Sequence, residues 1–479
     1  MKLKEFSNFV AGESKRGSAS EIIDVFAPAE NQLYGKLHDS TTEDLDAAVK
    51  MAKEAQREWM SFSRDEKSNV LTRIAKVIED HFDLFLETEV KDTGKLLSFA
   101  KNVDIPRSVT NFRFFSQHIS SFDGKELRQK NAQGREEIFR VLSSPLGIVG
   151  VISPWNLPLY LLTWKIAPAL AAGNAVIAKP SELTPASASL LGELLATYQQ
   201  KINLPTGLIS ILHGYGKTIG EAIVEHPEIK AISFTGGTFS GRKVYEKAAS
   251  GLKKCSLELG GKNPFVVFDD ANLEEAVDLA VRSSFSNQGQ ICLCSSRFYL
   301  QENIYEKFKQ SFIEKTKKIE LGSLISSQHK EKVMSFLLQA KECKGVFLTG
   351  DLEEQKKHEG TNFLDPVILE NLPQKSPLNQ EEIFGPVVTL NSFKGEEEAI
   401  MLANDSSYGL AASIWTTNLG RMLRLSQQVE AGNIWFNGWM RRDLRAPFGG
   451  MKNSGVGREG SVDSIRFFTQ EKSIFMGEI

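Results

Sequence analysis

A cysteine that follows a glycine-containing turn is the strongest candidate for a reacting group in this sequence. Cys292 lies in the stretch Asn287-Gln-Gly-Gln-Ile-Cys-Leu-Cys294, three residues after a glycine and near a predicted helix end. The thiolate is the nucleophilic form of cysteine, and partial positive charge at a helix N-terminus lowers the pKa of a thiol. A lone intracellular cysteine is more often a small hydrophobic side chain. The stretch therefore offers Cys292 as a nucleophile, with a packing role as the alternative.

Two further residues could assist a nucleophile. Glu258 precedes two glycines at the end of a predicted strand, between two predicted domains, where a carboxylate can serve as a general base. A surface carboxylate at a turn is the alternative. Asn156 stands between Pro154 and Pro158, which hold it rigidly, so that its amide could donate to an oxyanion. A stiff buried loop is the alternative for that segment.

Two loops that follow predicted strands carry residues suited to a nucleotide. Lys179 could contact ribose or phosphate groups, and Glu182 could accept hydrogen bonds from both ribose hydroxyls while repelling a 2′-phosphate. The glycines of Phe234-Thr-Gly-Gly237 would let the backbone approach a pyrophosphate at a helix N-terminus. Solvated loops and an ordinary strand-to-helix turn are the alternatives. The segment Gly214-Tyr-Gly216-Lys-Thr-Ile-Gly220 departs from the usual G-x-G-x-x-G spacing and is a weak signal.

Composition restricts the class of protein that carries these residues. A chain of 479 residues is long enough for two or more domains. Apolar residues at 41% and charged residues at 24% are typical of a globular protein, and a net charge of -3 without charge blocks argues against nucleic-acid binding. Four cysteines are too few for a disulfide framework. Without a secretory signal or a membrane span of about 20 apolar residues, a cytoplasmic protein is expected.

The first part of the chain is predicted to be largely helical. Residues 40–115 read mostly as helices, and Ser63-Arg-Asp-Glu66 has the pattern of a capping box. Apolar residues at helical spacing follow it, and Gly94 is predicted to end the helix. From residue 120 to 144, polar residues alternate with apolar ones, which predicts an extended hairpin outside the core.

The rest of the chain is predicted to form two α/β domains. After residue 145, apolar β-branched runs alternate with helical stretches, which indicates a parallel sheet covered on both faces. A second alternation of the same kind runs from about residue 272 to residue 436. The break between the two domains is expected near Glu258–Lys262.

Taken together and in this order, the five motifs closely resemble the aldehyde dehydrogenase superfamily. The resemblance covers nearly the whole chain and includes Glu381-Glu-Ile-Phe-Gly-Pro-Val387, Ser407-Tyr-Gly-Leu-Ala411 and Pro447-Phe-Gly-Gly-Met-Lys-Asn-Ser-Gly-Val-Gly-Arg-Glu-Gly460. It implies NAD-dependent oxidation of an aldehyde to a carboxylic acid through a thioester. No cluster with metal-ligand spacing is present in the sequence.

The resemblance assigns roles to individual residues. It implies that Cys292 is the nucleophile, that Glu258 is the general base, and that Asn156 donates to the oxyanion together with the backbone N–H of Cys292. The family usually has serine where Gly237 stands, so a side-chain contact to the pyrophosphate is expected to be absent here. Cys294 is interpreted as a bystander or as an oxidation partner for Cys292. The residues implied to contact NAD are Ile152, Ser153, Trp155, Lys179, Glu182, Gly216, Phe234, Gly237, Ser240, Leu259, Glu382 and Phe384.

The resemblance also implies the architecture and the assembly. The fold would have a Rossmann-like NAD-binding domain, an α/β catalytic domain and a β-hairpin oligomerisation arm that builds a homodimer or homotetramer. The predicted boundaries are residues 1–119 and 145–257 for the first domain, 258–459 for the second, and 120–144 and 460–479 for the arm.

Two stretches suggest the substrate. Asp104-Ile-Pro-Arg107 and the segment Trp439-Met-Arg-Arg-Asp-Leu-Arg445 resemble the branch that oxidises 2-aminomuconate and 2-hydroxymuconate semialdehydes. In that branch Arg107 and Arg445 would bind the substrate carboxylate, because a guanidinium matches a carboxylate in two bonds; Trp164 would also contact the substrate. Structural salt bridges are the alternative for either arginine.

Other functions stay open at this point. Another ring-cleavage semialdehyde, betaine aldehyde or an aliphatic aldehyde could be the substrate. A CoA-acylating dehydrogenase is disfavoured by Glu258, which favours hydrolysis, and an esterase would need no NAD. A catalytically silent binding or structural relative is disfavoured by the intact Cys292, Glu258, Asn156 and Lys179.

Overall fold

A computed structural model describes residues 3–119 and 124–476. Within these two ranges, none of the helices is long and apolar enough to cross a membrane. The strands are β1 (Lys4–Phe6), β2 (Asn8–Val10), β3 (Glu13–Lys15), β4 (Ile22–Ala27), β5 (Gln32–His38), β6 (Lys125–Lys130), β7 (Glu136–Pro145), β8 (Ile148–Ile152), β9 (Ala175–Lys179), β10 (Ile209–Ile211), β11 (Ile229–Thr235), β12 (Lys254–Glu258), β13 (Asn263–Val267), β14 (Ser295–Gln301), β15 (Val346–Thr349), β16 (Val367–Glu370), β17 (Val387–Phe393), β18 (Tyr408–Gly409), β19 (Ala411–Trp415), β20 (Asn433–Phe436), β21 (Met451–Lys452), β22 (Gly455–Val456) and β23 (Thr469–Met476). The helices are α1 (Thr42–Ser61), α2 (Arg64–Asp80), α3 (Phe82–Thr93), α4 (Leu97–Phe99), α5 (Ile105–His118), α6 (Pro158–Ala171), α7 (Ala186–Ile202), α8 (Glu221–Glu225), α9 (Thr238–Ser250), α10 (Leu273–Phe285), α11 (Tyr305–Thr316), α12 (Ser327–Glu342), α13 (Pro377–Gln380), α14 (Glu396–Asn404), α15 (Leu419–Gln428) and α16 (Ser461–Phe467).

The first sheet has eight strands in the order β22-β12-β11-β8-β9-β10-β2-β3. Its five central strands, from β12 to β10, are parallel, and the outer strands β22 and β2 pair antiparallel to them. Every residue of β8 and of β9 is buried, because helices cover both faces and leave no side of these strands to water. The predicted parallel α/β sheet is confirmed.

The second sheet has seven strands in the order β15-β16-β17-β14-β13-β19-β20, and only β15 runs antiparallel to its neighbour. The chain passes from the first sheet to the second between Glu258, the last residue of β12, and Asn263, the first of β13. This crossing lies where the sequence predicts the break between two α/β units. A short return, β22, brings the segment that follows Gly455 back against β12 and thus beside Glu258.

The predicted capping box forms at the start of α2. The Ser63 hydroxyl accepts the N–H of Glu66 at 3.3 Å, and the Glu66 carboxylate accepts the N–H of Ser63 at 2.7 Å. The helix is shorter than the sequence suggests, since α2 ends at Asp80 and a separate helix α3 follows. Gly94 ends α3, with φ of 68° in the left-handed region that glycine adopts at low cost.

The predicted hairpin is a separate three-stranded antiparallel sheet in the order β23-β7-β6. We call these three strands the arm sheet. Helix α16, which precedes β23, packs on α6 and buries Ile465 in the core of the first sheet, so only the strand after it joins the arm sheet. Residues 120–123 of the predicted hairpin lie outside the described residues, and the domain boundaries stay a prediction.

Candidate active site

The carboxyl ends of β8, β9, β11 and β12 open into a cavity of about 440 Å³. Ligands of open parallel sheets bind at this end of the strands. The opposite wall comes from segments that precede strands of the second sheet, including the cysteine loop before β14. All but two of the predicted site residues line this cavity: Ile152, Ser153, Trp155, Asn156, Trp164, Lys179, Glu182, Gly216, Phe234, Gly237, Ser240, Glu258, Leu259, Cys292, Glu382 and Phe384.

The loop that presents Cys292 has an unusual backbone. Asn287, Gln288 and Gly289 have φ values of 50°, 57° and 72°, all in the left-handed region. A Cβ on Gly289 would lie 2.2 Å from the carbonyl oxygen of Gly385, so only glycine fits there. Beyond the turn, the Asn263 amide donates to the carbonyl oxygen of Cys292 at 2.7 Å. The glycine before the cysteine is therefore required by a close approach of two backbones.

The environment of Cys292 differs from the one predicted. The residue lies in a turn between a short 3₁₀ segment, Ser286–Gly289, and β14, and not at a helix N-terminus. Burial, together with the negative charges of Glu382 and Glu258, raises the pKa of the Cys292 thiol to about 12. The expectation of a thiol activated by a helix dipole was wrong. The raised pKa favours the thiol form at neutral pH, so Cys292 could act as a nucleophile only by losing its proton.

Glu258 faces the same cavity as an unpartnered carboxylate. The side chain is buried, and neither carboxylate oxygen has a hydrogen-bond partner. Burial, followed by the charge of Glu459, raises the pKa of Glu258 well above its usual value, against the opposing charges of Lys165 and Arg442. A carboxylate with a raised pKa holds a proton more strongly, which is the property required of a general base near neutral pH.

Asn156 is fixed on both sides of its peptide unit. Its side-chain amide donates to the carbonyl oxygen of Gln290 at 2.9 Å, in the loop that leads to Cys292. Its own carbonyl oxygen accepts hydrogen bonds from Lys95 and from Asn287, both at 3.1 Å. An amide nitrogen carries two hydrogens, so one remains for a ligand in the cavity.

One end of the cavity has the features of a nucleotide site. Lys179, the last residue of β9, is buried, and its ammonium donates to the Glu182 carboxylate at 3.0 Å. Gly237 precedes α9, whose first turn has no side-chain cap, so its free N–H groups are available to an anion. A Cβ on Gly216 or Gly237 would meet no atom within 4 Å, which leaves open space beside both glycines.

On the opposite wall of the cavity, Glu382 packs against the segment that connects β12 to β13. The N–H of Gly261 donates to the Glu382 carboxylate at 2.9 Å, and a Cβ on Gly260 would lie 2.3 Å from it. Phe384 adopts φ of 62°, and its carbonyl oxygen bonds the imidazole of His329 at 2.7 Å. These contacts fix two residues of the cavity lining.

A second cavity, of about 580 Å³, adjoins the first and shares Tyr160, Met440 and Arg442 with it. Arg107 lines only the second cavity, where two of its guanidinium nitrogens, Nε and Nη2, are buried without a partner. Arg442 donates to the Tyr160 hydroxyl at 2.9 Å. The guanidinium carbons of Arg107 and Arg442 lie 5.5 and 5.2 Å from the centre of the Trp164 ring. Two cations therefore stand at the junction of the cavities.

A model of the aldehyde dehydrogenase family matches residues 15–474 of the chain. The chain belongs to the aldehyde dehydrogenase family. The resemblance seen in the sequence motifs is thereby confirmed, and so is the α/β fold that it implies.

Relatives within the aldehyde dehydrogenase family are similar over almost their whole lengths. The 2-aminomuconic semialdehyde dehydrogenase of Homo sapiens is 44% identical over 98% of this chain and 97% of its own. The 2-hydroxymuconic semialdehyde dehydrogenase of Pseudomonas sp. (strain CF600) is 39% identical over 98% of this chain and 99% of its own. The structure of an NAD+ complex of aldehyde dehydrogenase from Bacillus cereus superposes with a TM-score of 0.94, at 30% identity over 99% of this chain and 96% of that one.

The structure corrects one prediction for the substrate end of this aldehyde dehydrogenase. Arg445 lines neither cavity: its side chain is 76% exposed and pairs with Asp443 at 2.6 Å. Arg442, three residues earlier, is the arginine of this segment that lines both cavities. The backbone turns after Met440, whose φ is 53°, and sequence spacing does not show which arginine then points inward.

Glu459 is a residue of the site that the sequence motifs did not single out. It accepts hydrogen bonds from the Trp164 indole at 2.6 Å, from the Ser233 hydroxyl at 3.1 Å and from the ammonium of buried Lys165. The indole N–H of Trp164 is thus used within the protein, and only its ring is available to a substrate. Glu459 lies in the glycine-rich stretch before Gly460. The sequence motifs do not show that this stretch pairs with β12, and this pairing brings Glu459 into the site.

Proposed function

We propose that this aldehyde dehydrogenase oxidises a carboxylate-bearing semialdehyde of the 2-aminomuconic or 2-hydroxymuconic type, with NAD as the hydride acceptor. The observation that carries the proposal is the pair Arg107 and Arg442 at the junction of two cavities, of which one also contains Cys292. The names and the near full-length similarity of the relatives support the same substrate class.

The cavity has the shape and charge that NAD requires. Open space beside Gly216 and Gly237 and the uncapped start of α9 suit a pyrophosphate. Glu182 with Lys179 would hold the adenosine ribose, and the carboxylate of Glu182 would repel the 2′-phosphate of NADP. Glu382 would hold the nicotinamide ribose. The remaining contacts are assigned to Ile152, Ser153, Trp155, Phe234, Ser240, Leu259 and Phe384.

The residues of the cavity account for each chemical step. The Cys292 sulfur attacks the aldehyde carbon as the thiol passes its proton to solvent water, which gives a hemithioacetal oxyanion. The Asn156 amide and the backbone N–H of Cys292 stabilise that oxyanion, at about 3–4 kcal/mol for a typical donor. Lys179, Glu182 and Glu382 would hold NAD, which would supply the acceptor for the hydride of this carbon. Glu258 then takes a proton from water, whose oxygen attacks the thioester carbon. The Cys292 sulfur leaves and regains that proton from Glu258, which releases the acid and the free thiol.

The two arginines where the cavities meet would bind the carboxylate of the substrate. Arg107 is half-buried, with two buried and unpartnered nitrogens, and this burial lowers its pKa because the charged form lacks solvent. Tyr160 and Asp443 stabilise the charge of Arg107 in part, and the two unpartnered nitrogens can gain hydrogen bonds from an anionic ligand. The Trp164 ring lies beside both guanidinium groups and would contact the carbon skeleton between the carboxylate and the aldehyde. A cationic substrate such as betaine aldehyde would be repelled here.

NADH formation with three aldehydes tests the proposed function. We expect kcat/KM for 2-hydroxymuconate semialdehyde to exceed that for hexanal and for betaine aldehyde by about a hundredfold, or about 2.7 kcal/mol. A flat profile, or a preference for hexanal or betaine aldehyde, would retain the dehydrogenase and reject the carboxylate-bearing substrate.

Replacing Arg107 or Arg442 with leucine is expected to raise the KM for the muconate semialdehyde about 30-fold to 100-fold, since a charge-assisted contact to a carboxylate is lost. The KM for hexanal should change less than threefold. Arg445→Leu is the matched control, because Arg445 is exposed and outside both cavities, and it should leave both values unchanged. A larger effect of Arg445→Leu than of Arg442→Leu would reverse the assignment.

We also propose that the enzyme acts in the cytoplasm as a homodimer or homotetramer. All four cysteines are free, which suits a reducing compartment. The arm sheet exposes Leu127, Leu142 and Phe475, and exposed apolar side chains on a projecting sheet favour contact with another copy. Light scattering of the purified protein measures the mass and tests this assembly.

A further inference from the structure

A buried group of three charges lies beneath the loop that carries Asn156. Glu89 on α3, Lys95 after it and Asp104 before α5 have no exposed side-chain surface. The Lys95 ammonium forms a short hydrogen bond with Asp104 and lies 3.6 Å from the Glu89 carboxylate. Burial of charged groups costs free energy that such pairing does not always recover. We call these residues the buried triad, and their position indicates what they do.

The buried triad bonds the main chain on both sides of Pro158. The Lys95 ammonium donates to the carbonyl oxygen of Asn156 at 3.1 Å. The Glu89 carboxylate accepts the N–H of Leu159 at 2.9 Å. Two main-chain groups three residues apart are therefore held by side chains from outside the loop, and the intervening proline makes the segment stiff.

The same carbonyl oxygen also joins this loop to the cysteine loop. Asn287 donates to the Asn156 oxygen at 3.1 Å, and the Asn156 side chain donates to Gln290 at 2.9 Å. Lys95 therefore fixes the peptide from one side and the cysteine loop fixes it from the other. A displacement of this peptide would move the Asn156 amide relative to Cys292.

We propose that Lys95 is a positioning residue, which sets the distance between the oxyanion donor Asn156 and Cys292, with Glu89 and Asp104 holding its ammonium. The inference rests on the proposed oxyanion role of Asn156. Oxyanion donors are effective only at hydrogen-bond distance from the developing charge, so a shift of less than 1 Å is costly.

The buried triad also reaches the other end of the substrate site. Asp104 immediately precedes α5, and its carboxylate bonds Lys95 and does not cap its own helix. Arg107 lies one turn further along α5 and lines the second cavity. One ammonium thus ties the helix that carries the carboxylate-binding Arg107 to the loop that carries Asn156.

A double-mutant cycle tests this inference. Lys95→Met removes the donor and keeps an unbranched side chain, and we expect kcat for the aldehyde to fall about 10-fold to 100-fold while the Kd for NAD stays within twofold. Asn156→Ala alone should lower kcat about 10²-fold to 10³-fold. If Lys95 acts through Asn156, the double variant should be no slower than Asn156→Ala within threefold. Multiplicative losses would overturn the inference.

Asp92→Asn is the matched control for a merely structural effect. Asp92 is a second buried carboxylate on α3, but it bonds the Tyr34 hydroxyl and the N–H of Ala186 and does not bond the Asn156 loop. This variant should lower Tm without lowering kcat. An equal loss of kcat in Asp92→Asn and Lys95→Met would show that general loosening is responsible.

A second variant keeps the inference testable if Lys95→Met does not fold. Asp104→Asn weakens the hold on the ammonium, and it should lower kcat less than Lys95→Met would while showing the same lack of additivity with Asn156→Ala. The cycle also distinguishes the oxyanion role of Asn156 from the positioning role of Lys95. An unchanged kcat in Asn156→Ala would reject the oxyanion role itself, whereas a loss in Asn156→Ala with no change in Lys95→Met and Asp104→Asn would reject only the positioning role.

Discussion

Replacing Cys292 with alanine is expected to lower aldehyde oxidation by at least about a thousandfold, while the Kd for NAD stays within about twofold. The reason is that alanine cannot form the thioester, whereas the nucleotide end of the cavity, at Lys179, Glu182 and Gly237, does not depend on the thiol. NADH absorbance measures the first quantity, and titration of intrinsic fluorescence with NAD measures the second.

Cys294→Ala is the matched control for this prediction. Cys294 is buried, does not line the main cavity, and its thiol lies 3.7 Å from the carbonyl oxygen of Ser286. Burial raises the pKa of Cys294 as it raises that of Cys292, so the position of the thiols and not their acidity distinguishes the two residues. The variant should retain turnover. Activity that survives in Cys292→Ala, or disappears in Cys294→Ala, would transfer the nucleophile to Cys294.

Glu258→Gln is expected to separate the two halves of the reaction. Hydride transfer should still produce about one NADH for each active site in a burst, because Cys292 and Asn156 are intact. Hydrolysis of the thioester should then slow by about 10²-fold to 10⁴-fold, since the base that activates water is absent. Rapid mixing with detection of NADH measures the burst and the later rate. A variant with no burst would show that Glu258 acts before the thioester forms.

The pH dependence of hydrolysis provides an independent check on Glu258. Burial and the charge of Glu459 raise the pKa of Glu258 well above its usual value. A general base works in its deprotonated form, so hydrolysis should fail on acidification at a pH well above the ordinary pKa of a glutamate. Glu258→Gln should lose this acid limb. Glu381→Gln, at an exposed carboxylate near the site, should keep it.

The arrangement of the catalytic end could be read from the sequence because each part depends on local chemistry. A glycine before Cys292, a proline on each side of Asn156 and glycines after Glu258 constrain the backbone within a few residues. The alternation of apolar strands with helices likewise predicts an α/β fold. In such a fold, ligands bind at the carboxyl ends of the parallel strands. Sixteen predicted residues therefore line one cavity.

The sequence predicted the ends of elements less well than their starts, because apolar periodicity can continue from one helix into the next. The capping box at Ser63 predicted the start of α2, but the end of that helix was placed at Gly94, although α2 stops at Asp80. A second helix continues the apolar spacing, so the periodicity does not show the break. The segment after Gly460 was assigned wholly to the arm, yet α16 buries Ile465 against the first sheet.

The sequence by itself determined the family and the reaction type, and it predicted the groups that carry the reaction, because these depend on short motifs whose residues act on one another within a loop. Only the tertiary structure decided which arginine faces the cavity, that burial raises the pKa of the Cys292 thiol, and that Lys95 reaches the carbonyl oxygen of Asn156. These properties depend on exclusion of solvent and on contacts between residues far apart in the chain. Lys95 and Asn156 become neighbours only when α3 packs against α5 and α7, and Glu258 and Glu459 become neighbours only when β22 returns to the edge of the first sheet.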